Sequence, residues 1–234
     1  MSIHNPTIEL ISSSNCPFAQ RSRMVLLTKR ADYKFTEISL DNKPDWFLEI
    51  SPYAKVPVLR HGDSVLYESS VINEYLEEVL PNPPLLPQLP SRRALARIWI
   101  AFANDRMVPH VYKMMLRQDA EGQKAHGERL KEAVLLMERE GLGKLSSGPF
   151  WLGEAPSLVD FTFFPHVQRF LVLEHYRGFK LPTECERLRT WIDTMNALPV
   201  VQSTKPSDEQ LIRNWSKYAF NTSTGTTARD MREI

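Results

Sequence analysis

Cys16 is the residue of this sequence with the best placement for nucleophilic chemistry. It follows the polar run Ser12-Ser13-Ser14-Asn15, which ends an alternating segment typical of a strand, and Pro17 after it suits the first turn of a helix. A cysteine at the start of a helix meets N–H groups and the positive end of the helix dipole, which favour the thiolate. Arg21 and Arg23 add positive potential. The alternative is a small buried cysteine, the common fate of a free thiol.

The position three residues after Cys16 is occupied by Ala19, so the Cys-x-x-Cys pair of dithiol oxidoreductases is absent. The other cysteine, Cys185, is flanked by Glu184 and Glu186, which disfavour a thiolate, and we expect it to be structural. Two distant cysteines also argue against a disulfide framework and a multi-cysteine metal site. We therefore expect no metal and a reducing, cytoplasmic environment.

The elements that must position Cys16 follow an α/β pattern. Period-two alternation predicts strands, helical spacing of apolar residues predicts helices, and prolines and polar clusters mark the joints. The predicted order is βαβαββα, with elements at Thr7–Ile11, Phe18–Lys29, Tyr33–Leu40, Asp45–Ile50, Val56–Arg60, Val65–Tyr67 and Ser70–Val79. This order predicts a thioredoxin-like N-terminal domain over residues 1–80.

The rest of the chain predicts a second domain of a different class. Prolines recur between Pro81 and Pro90 and predict a stiff linker over residues 81–90. Residues 91–220 predict an all-α C-terminal domain, with helices at Ser91–Leu116, Gln123–Glu140, Asp160–Leu173, Cys185–Ala197 and Glu209–Ala219. The tail 221–234 is rich in Thr and Arg, and we expect it to be loose or dependent on a partner.

Composition excludes several functional classes. The 234 residues carry 29 Lys and Arg against 28 Asp and Glu, a formal net charge of +1, so nothing in the balance indicates nucleic acid or an anionic membrane surface. Apolar runs are interrupted well before the ~18 residues that a membrane-spanning helix needs, and Met1 to Pro6 lack the pattern of a signal peptide. We expect a soluble cytoplasmic protein with a small-molecule partner, no nucleic acid and no membrane.

Four motifs resemble one family in the order in which they occur. The string Cys16-Pro17-Phe18-Ala19-Gln20-Arg21 resembles the active-site stretch of omega-class glutathione transferases and of the related dehydroascorbate reductases and lambda-class enzymes. The segments Asp41–Phe47, Lys55–Leu59 and Leu66–Ser70 resemble the lysine segment, the cis-proline turn and the glutamate-serine pair of the same family. The chain is therefore similar to a cysteine-type, omega-like glutathione transferase.

The resemblance implies a glutathione site. It implies that Lys43 meets the glycyl carboxylate and that the backbone of Val56, before the cis-proline, pairs with the cysteinyl unit. It also implies that Glu68 and Ser69 hold the γ-glutamyl end, at the start of a helix. A solvated lysine is the alternative for Lys43, whereas a plain helix-capping role of Ser69 is compatible with both interpretations. The implied glutathione-binding residues are Phe18, Lys43, Val56, Pro57, Glu68 and Ser69.

A single reactive thiol implies a particular cycle. We expect the Cys16 thiolate to form a mixed disulfide with glutathione, which free glutathione then resolves. Classical conjugation should be weak, because conjugating classes use a Tyr or Ser hydroxyl. Thiol transfer, removal of glutathione from thioethers, dehydroascorbate reduction and maleylacetoacetate-type isomerisation share this apparatus, and the sequence leaves the choice open.

The resemblance implies that the second substrate lies between the thiol and the helical domain. The candidates to line its site are Trp99, Phe102, Met107, Met114, Met115, Arg169 and Phe170. Core packing is the commoner role of such an apolar stripe. Arg169 could attract an anionic or enolic substrate, and the alternative is a solvated surface arginine. The pattern Ser157 to Asp160 predicts an N-terminal capping box with a folding role.

Two other classes stay open. The intracellular chloride-channel family carries a similar Cys-Pro-Phe turn on the same fold and can associate with membranes. A non-catalytic binding module of the transferase fold is the second alternative. The resemblance also implies a homodimer, with the thioredoxin-like part of one subunit against the helical domain of the other.

Overall fold

The computed structural model describes residues 7–233, so the expectation about Met1 to Pro6 lies outside the described residues. The chain divides into two compact units, Met1–Pro83 and Pro84–Ile234. Each unit has its own secondary-structure class.

The first unit is built on a four-stranded mixed sheet in the order β2-β1-β3-β4. Strands β1 and β2 are parallel, whereas β3 is antiparallel to both β1 and β4. The strands are β1 (Ile8–Ser12), β2 (Tyr33–Glu37), β3 (Val58–His61) and β4 (Ser64–Tyr67), and the helices are α1 (Pro17–Thr28), α2 (Asp45–Ile50) and α3 (Ser69–Val79). The predicted thioredoxin-like order is confirmed.

The position of β1 inside the sheet explains why the thiol lies where it does. Leu10 and Ile11 are fully buried, and Ile11 packs with Ile38, Phe47 and Val58 in the core. A parallel neighbour requires a crossover, and α1 supplies it between β1 and β2. The turn from β1 into α1 therefore falls at the carboxyl end of a buried strand, and Cys16 lies in this turn.

Strand β3 begins at Val58 and not at the predicted Val56. The Val56–Pro57 peptide is cis, as the resemblance implies, and Pro57 has no N–H to contribute to a ladder. The turn keeps Val56 and Pro57 just outside the sheet.

The second unit is built from helices. They are α4 (Pro90–Phe102), α5 (Val108–Leu116), α6 (Ala120–Leu136), α7 (Gly143–Leu145), α8 (Leu158–Val167), α9 (Phe170–Arg177), α10 (Glu186–Ala197), α11 (Pro199–Gln202), α12 (Asp208–Ala219) and α13 (Thr226–Glu233). The all-α class is confirmed. Wider π-helical turns at Ala103–Met107 and Met137–Leu142 follow α4 and α6 and interrupt two of the predicted helices.

The predicted helix Asp160–Leu173 is wrong, because the structure has two helices there, α8 and α9. The Arg169 N–H donates to the His166 carbonyl three residues back, which breaks the four-residue spacing of an α-helix. The Arg169 guanidinium, through Nη1, donates to the carbonyl of Pro165.

The expectation of a loose tail is also wrong for the described part of residues 221–234. Helix α13 forms there, and Ala228 is fully buried. The Arg232 side chain donates to the side chain of Asn221 at 2.7 Å and to the carbonyl of Ser223 at 2.7 Å. A small apolar residue and a folded-back arginine therefore hold the tail, and composition alone does not reveal either contact.

The predicted capping box at the start of α8 is confirmed. Asp160 accepts from the Ser157 N–H at 2.8 Å and from the Ser157 hydroxyl at 2.6 Å. Its other oxygen accepts from the Trp151 N–H at 3.1 Å and from the Trp191 indole at 2.8 Å. Complete burial raises the pKa of Asp160, and these bonds oppose the rise.

Arg177 joins the ends of several helices. Its Nε donates to the Met114 carbonyl at 3.1 Å and its Nη2 to the Met115 carbonyl, both in the last turn of α5. The same Nη2 donates to the carbonyl of Ala219, the last residue of α12. Arg177 itself ends α9, so one guanidinium satisfies carbonyls that two other helix ends leave open.

Candidate active site

Cys16 lies at the N-cap position of α1. Its N–H donates to the Ser13 carbonyl at 3.0 Å, and its carbonyl accepts the first helical bond, from the Gln20 N–H, at 3.0 Å. The side chain is buried, with 7% exposure, and makes no capping hydrogen bond. The thiol therefore lies at the positive end of a twelve-residue helix, as the sequence predicts.

The cis-proline turn lies beside this thiol. The Cys16 Sγ is 4.0 Å from the Val56 carbonyl oxygen, although 40 residues separate the two. Ser51 holds the approach to the turn, because its hydroxyl donates to the Lys55 carbonyl at 2.8 Å and accepts from the Lys55 N–H at 3.0 Å. The predicted thiol and the predicted backbone site for glutathione are thus brought together. Sequence reasoning missed Ser51, a buried serine with no motif around it.

The start of α3 differs from the expectation of a serine cap. Glu68 takes the N-cap position, with φ 68° and ψ 109°, and Ser69 is the first helical residue. The Glu68 side chain makes no capping bond, and the Ser69 hydroxyl accepts from Arg21 Nη1 at 3.3 Å. The expected helix-capping position of Ser69 is therefore wrong. A positive φ at a residue other than glycine is costly and recurs at functional sites.

Arg21 has a structural role that the sequence does not indicate. The sequence indicates only positive potential near Cys16, but the Arg21 side chain is 1% exposed, and its Cζ lies 5.0 Å from the centre of the Phe18 ring. Its bond to Ser69 joins the cysteine helix to α3. The Cys16-to-Arg21 string contains this residue, but nothing in the string shows that the side chain turns inward.

The remaining glutathione-site candidates occupy the same unit. Lys43 is half-buried in the bend before α2, Phe18 is half-buried in the first turn of α1, and Glu68 is exposed. Their roles toward glutathione stay predictions.

The acceptor-site candidates of the second unit are largely packed. Trp99, Met107, Met114, Met115 and Phe170 are buried, and Phe102 is half-buried. The Trp99 ring lies 5.1 Å from Phe102 and 4.8 Å from Trp151, which stacks on Phe163 at 4.5 Å. These contacts describe a core. A role of these side chains in binding a second substrate stays a prediction.

Arg169 is fully buried, so the alternative of a solvated surface arginine is wrong. Its Nη1 donates to the Pro165 carbonyl and, at 3.2 Å, to the Gln168 side chain. A role toward an anionic acceptor stays a prediction.

Cys185 contrasts with Cys16. It is fully buried at the start of α10, and burial, followed by the carboxylates of Glu138 and Glu184, raises the pKa of its thiol to about 11. The thiol of Cys185 is therefore protonated at neutral pH, which fits the structural role that we expect.

No helix within residues 7–233 is long and apolar enough to cross a membrane.

Two family models match this chain, one in the thioredoxin-like unit and one in the helical unit. The family model described as "Glutathione S-transferase, N-terminal domain" matches residues 10–84, and "Glutathione S-transferase, C-terminal domain" matches residues 120–194. The chain belongs to the glutathione S-transferase family.

Relatives from different classes of this family are about equally similar. "Glutathione S-transferase omega-1" of Mus musculus is 32% identical over 85% of this chain and 80% of its own length. "Probable glutathione S-transferase DHAR1, cytosolic" of Oryza sativa is 30% identical over 86% and 89%. The solved structure of the Tau class enzyme MiGSTU from mango is 30% identical, covers 91% of this chain and 98% of its own, and has a TM-score of 0.83. Overall similarity therefore leaves the class open.

Proposed function

We propose that this chain is a cysteine-type glutathione-dependent thiol transferase and reductase in which Cys16 is the nucleophile. The observation that carries the proposal is the Cys16 thiol at the start of α1, 4.0 Å from the Val56 carbonyl. The helix terminus favours a thiolate, and the cis-proline turn offers the backbone with which a cysteinyl peptide can pair.

The reaction needs two thiol–disulfide exchanges. The Cys16 thiolate attacks the glutathione sulfur of a mixed disulfide R–S–SG, which forms Cys16–S–SG and releases RS⁻. A glutathione thiolate then attacks Cys16–S–SG, which yields oxidised glutathione and restores the Cys16 thiolate. Ala19 stands where a resolving cysteine would be, so the second exchange takes its thiol from solution.

Recognition of glutathione divides among the remaining candidates. Lys43 is the cation for the glycyl carboxylate, and the backbone of Val56 pairs with the cysteinyl unit. Ser69 and the N–H groups at the start of α3 bind the γ-glutamyl carboxylate, and Glu68 accepts from its ammonium group. The buried charge of Arg21 behind Ser69 supports this assignment, because it adds positive potential at an anion site.

The similarity to a Tau class enzyme favours a second candidate, conjugation of glutathione to an electrophile. The two functions differ in the part that Cys16 plays. In thiol transfer Cys16 forms a covalent bond with glutathione, whereas in conjugation a side chain only stabilises the glutathione thiolate. Loss of the thiol therefore separates them.

The deciding experiment weighs the intact protein after incubation with oxidised glutathione. We expect one glutathionyl group on the wild type and on Cys185→Ala, and none on Cys16→Ala. Thiol transfer to a glutathionylated peptide should fall at least about a hundredfold in Cys16→Ala, since the nucleophile is gone. Undiminished transfer by Cys16→Ala, or an adduct on Cys185 alone, would refute the proposal. Conjugation retained by Cys16→Ser while transfer is lost would establish both candidates.

We also infer a cytoplasmic location. Both cysteines are buried and form no disulfide within residues 7–233, and a relative carries the word cytosolic in its name. A panel of glutathionylated peptides, aromatic thioethers and dehydroascorbate, assayed at one glutathione concentration, identifies the second substrate.

A further inference from the structure

Glu37, the last residue of β2, forms hydrogen bonds with the turn that leads to Cys16. Its two carboxylate oxygens each lie 3.0 Å from the Ser14 nitrogen and accept from that N–H. One of them also accepts from the Ser14 hydroxyl at 3.2 Å. Hydrogen bonds to an ionised carboxylate are shorter and stronger than those between neutral groups. Ser14 is therefore tied to the neighbouring strand through its backbone and its side chain.

Ser14 is also held by a side chain of α1. Arg23 Nη1 lies 3.5 Å from the Ser14 carbonyl, and Arg23 Cζ lies 5.1 Å from the centre of the Phe35 ring in β2. The Cys16 N–H closes the turn on Ser13, and the Ile38 N–H donates to the Ser12 carbonyl at 2.9 Å. A carboxylate from β2 and a guanidinium from α1 thus fix the peptide groups two residues before the nucleophile.

We propose that Glu37 is a positioning residue for Cys16, because the bonds from its carboxylate to Ser14 hold the turn in the geometry that points the thiol at the glutathione sulfur. This proposal rests on the proposed function. It identifies a specific role for a side chain that is exposed and that lies in none of the four motifs.

The negative charge of Glu37 cannot by itself favour the Cys16 thiolate. A negative group near the turn opposes a thiolate, so its electrostatic effect on Cys16 is unfavourable. Loss of the Glu37 charge should therefore raise the reactivity of the Cys16 thiol, whereas loss of the hydrogen bonds to Ser14 should lower it. A small displacement of a reacting atom lowers rates strongly, and we expect the loss of geometry to be the larger effect.

Three substitutions of Glu37 separate the effect of its charge from the effect of its side-chain length. Glu37→Gln removes the charge but keeps an oxygen that accepts from the Ser14 N–H. Glu37→Asp keeps the charge but is one methylene too short. Glu37→Ala loses both. Asp32→Ala, an exposed carboxylate just before the far end of β2, is the matched control.

The measurement is the rate of Cys16 alkylation by iodoacetamide against pH, read by intact mass, together with the melting temperature. We expect Glu37→Ala and Glu37→Asp to lower the limiting rate at high pH at least about fivefold, with Glu37→Gln and Asp32→Ala within about twofold of the wild type. If Glu37→Ala lowers the melting temperature, the limiting alkylation rates of Glu37→Asp and Glu37→Gln are compared with that of the wild type instead.

Equal limiting rates in the wild type, Glu37→Ala and Glu37→Asp would overturn the proposal, as would a faster rate in both Glu37→Ala and Glu37→Gln. Alkylation needs no glutathione, so this outcome is distinct from failure of the proposed function, which Cys16→Ala tests. An inactive Cys16→Ala with unchanged alkylation in the Glu37 variants would remove only the positioning role.

Discussion

Arg21 shows how a single buried side chain can serve both stability and binding. A guanidinium with 1% exposure is costly unless polar groups and a π face receive it. Phe18 and the Ser69 hydroxyl supply such contacts. The arrangement also leaves the charge behind the residue that we assign to the γ-glutamyl carboxylate. Arg21 is therefore expected to act on glutathione binding through Ser69.

We predict that Arg21→Met raises the KM for glutathione about tenfold, which corresponds to about 1.4 kcal/mol. Ser69→Ala should raise it by a similar factor, and the double variant should be no worse than the more affected single variant, because both changes remove one arrangement. Steady-state kinetics check this prediction. Arg139→Met, which changes an exposed arginine of the second unit, is the control. Fully additive effects on KM would show that the two residues act independently.

At the scale of elements, the crossing of α5 and α6 brings two imidazoles together. His110 Nδ1 and His126 Nδ1 lie 3.1 Å apart. Burial, followed by the charge of His126, lowers the pKa of His110 to about 4, and burial also lowers the pKa of His126. The other charged groups that act on the pair are Lys113, Arg117, Asp119, Arg129 and Glu132.

We predict that acid weakens this helix crossing. In the unfolded chain His110 takes up a proton near its ordinary pKa of 6.5, whereas in the folded chain it does so only near about 4. The folded state thus binds fewer protons between these values, so stability is intact above about pH 6.5 and is lost as pH falls toward about 4. Melting temperatures measured across this range should fall less in His110→Gln than in the wild type. His175→Gln, an exposed histidine in α9, should follow the wild type. Parallel curves for the wild type and His110→Gln would contradict the prediction.

The sequence predicts most elements of the first unit because their signals are local. Apolar alternation marks β1, and proline marks the start of α1. The divided helix at Arg169 and the folded tail were missed because both depend on contacts that single-sequence patterns do not contain. The same limit applies within the site. The Arg21–Ser69 bond spans 48 residues and the Glu37–Ser14 bond spans 23, and the direction of a side chain is decided by the packed fold.

At the scale of the whole molecule, we predict a homodimer, as the resemblance implies. Helix α4 leaves Leu95 40% and Ile98 61% exposed, and these residues lie on one face of the helix. Sedimentation should give about twice the chain mass of 27.0 kDa. Ile98→Asp should shift the protein toward the monomer, because it places a charge in an apolar contact. Ala125→Asp, which adds the same charge at an exposed position of α6, should not. A wild type that sediments as a single chain would contradict the prediction.

The contacts of Arg177 determine when the helical unit can complete its hydrogen bonds during synthesis of the chain. Ala219 is 42 residues beyond Arg177, so the ribosome makes this bond acceptor well after it has made α5 and α9. The hydrogen bond that completes this junction of α5, α9 and α12 can form only after Ala219 has left the ribosome. The hydrogen bonds among residues 7–83, in contrast, need nothing that comes later in translation. The cysteine turn can therefore be complete in the nascent chain while the helical unit still awaits its last helices.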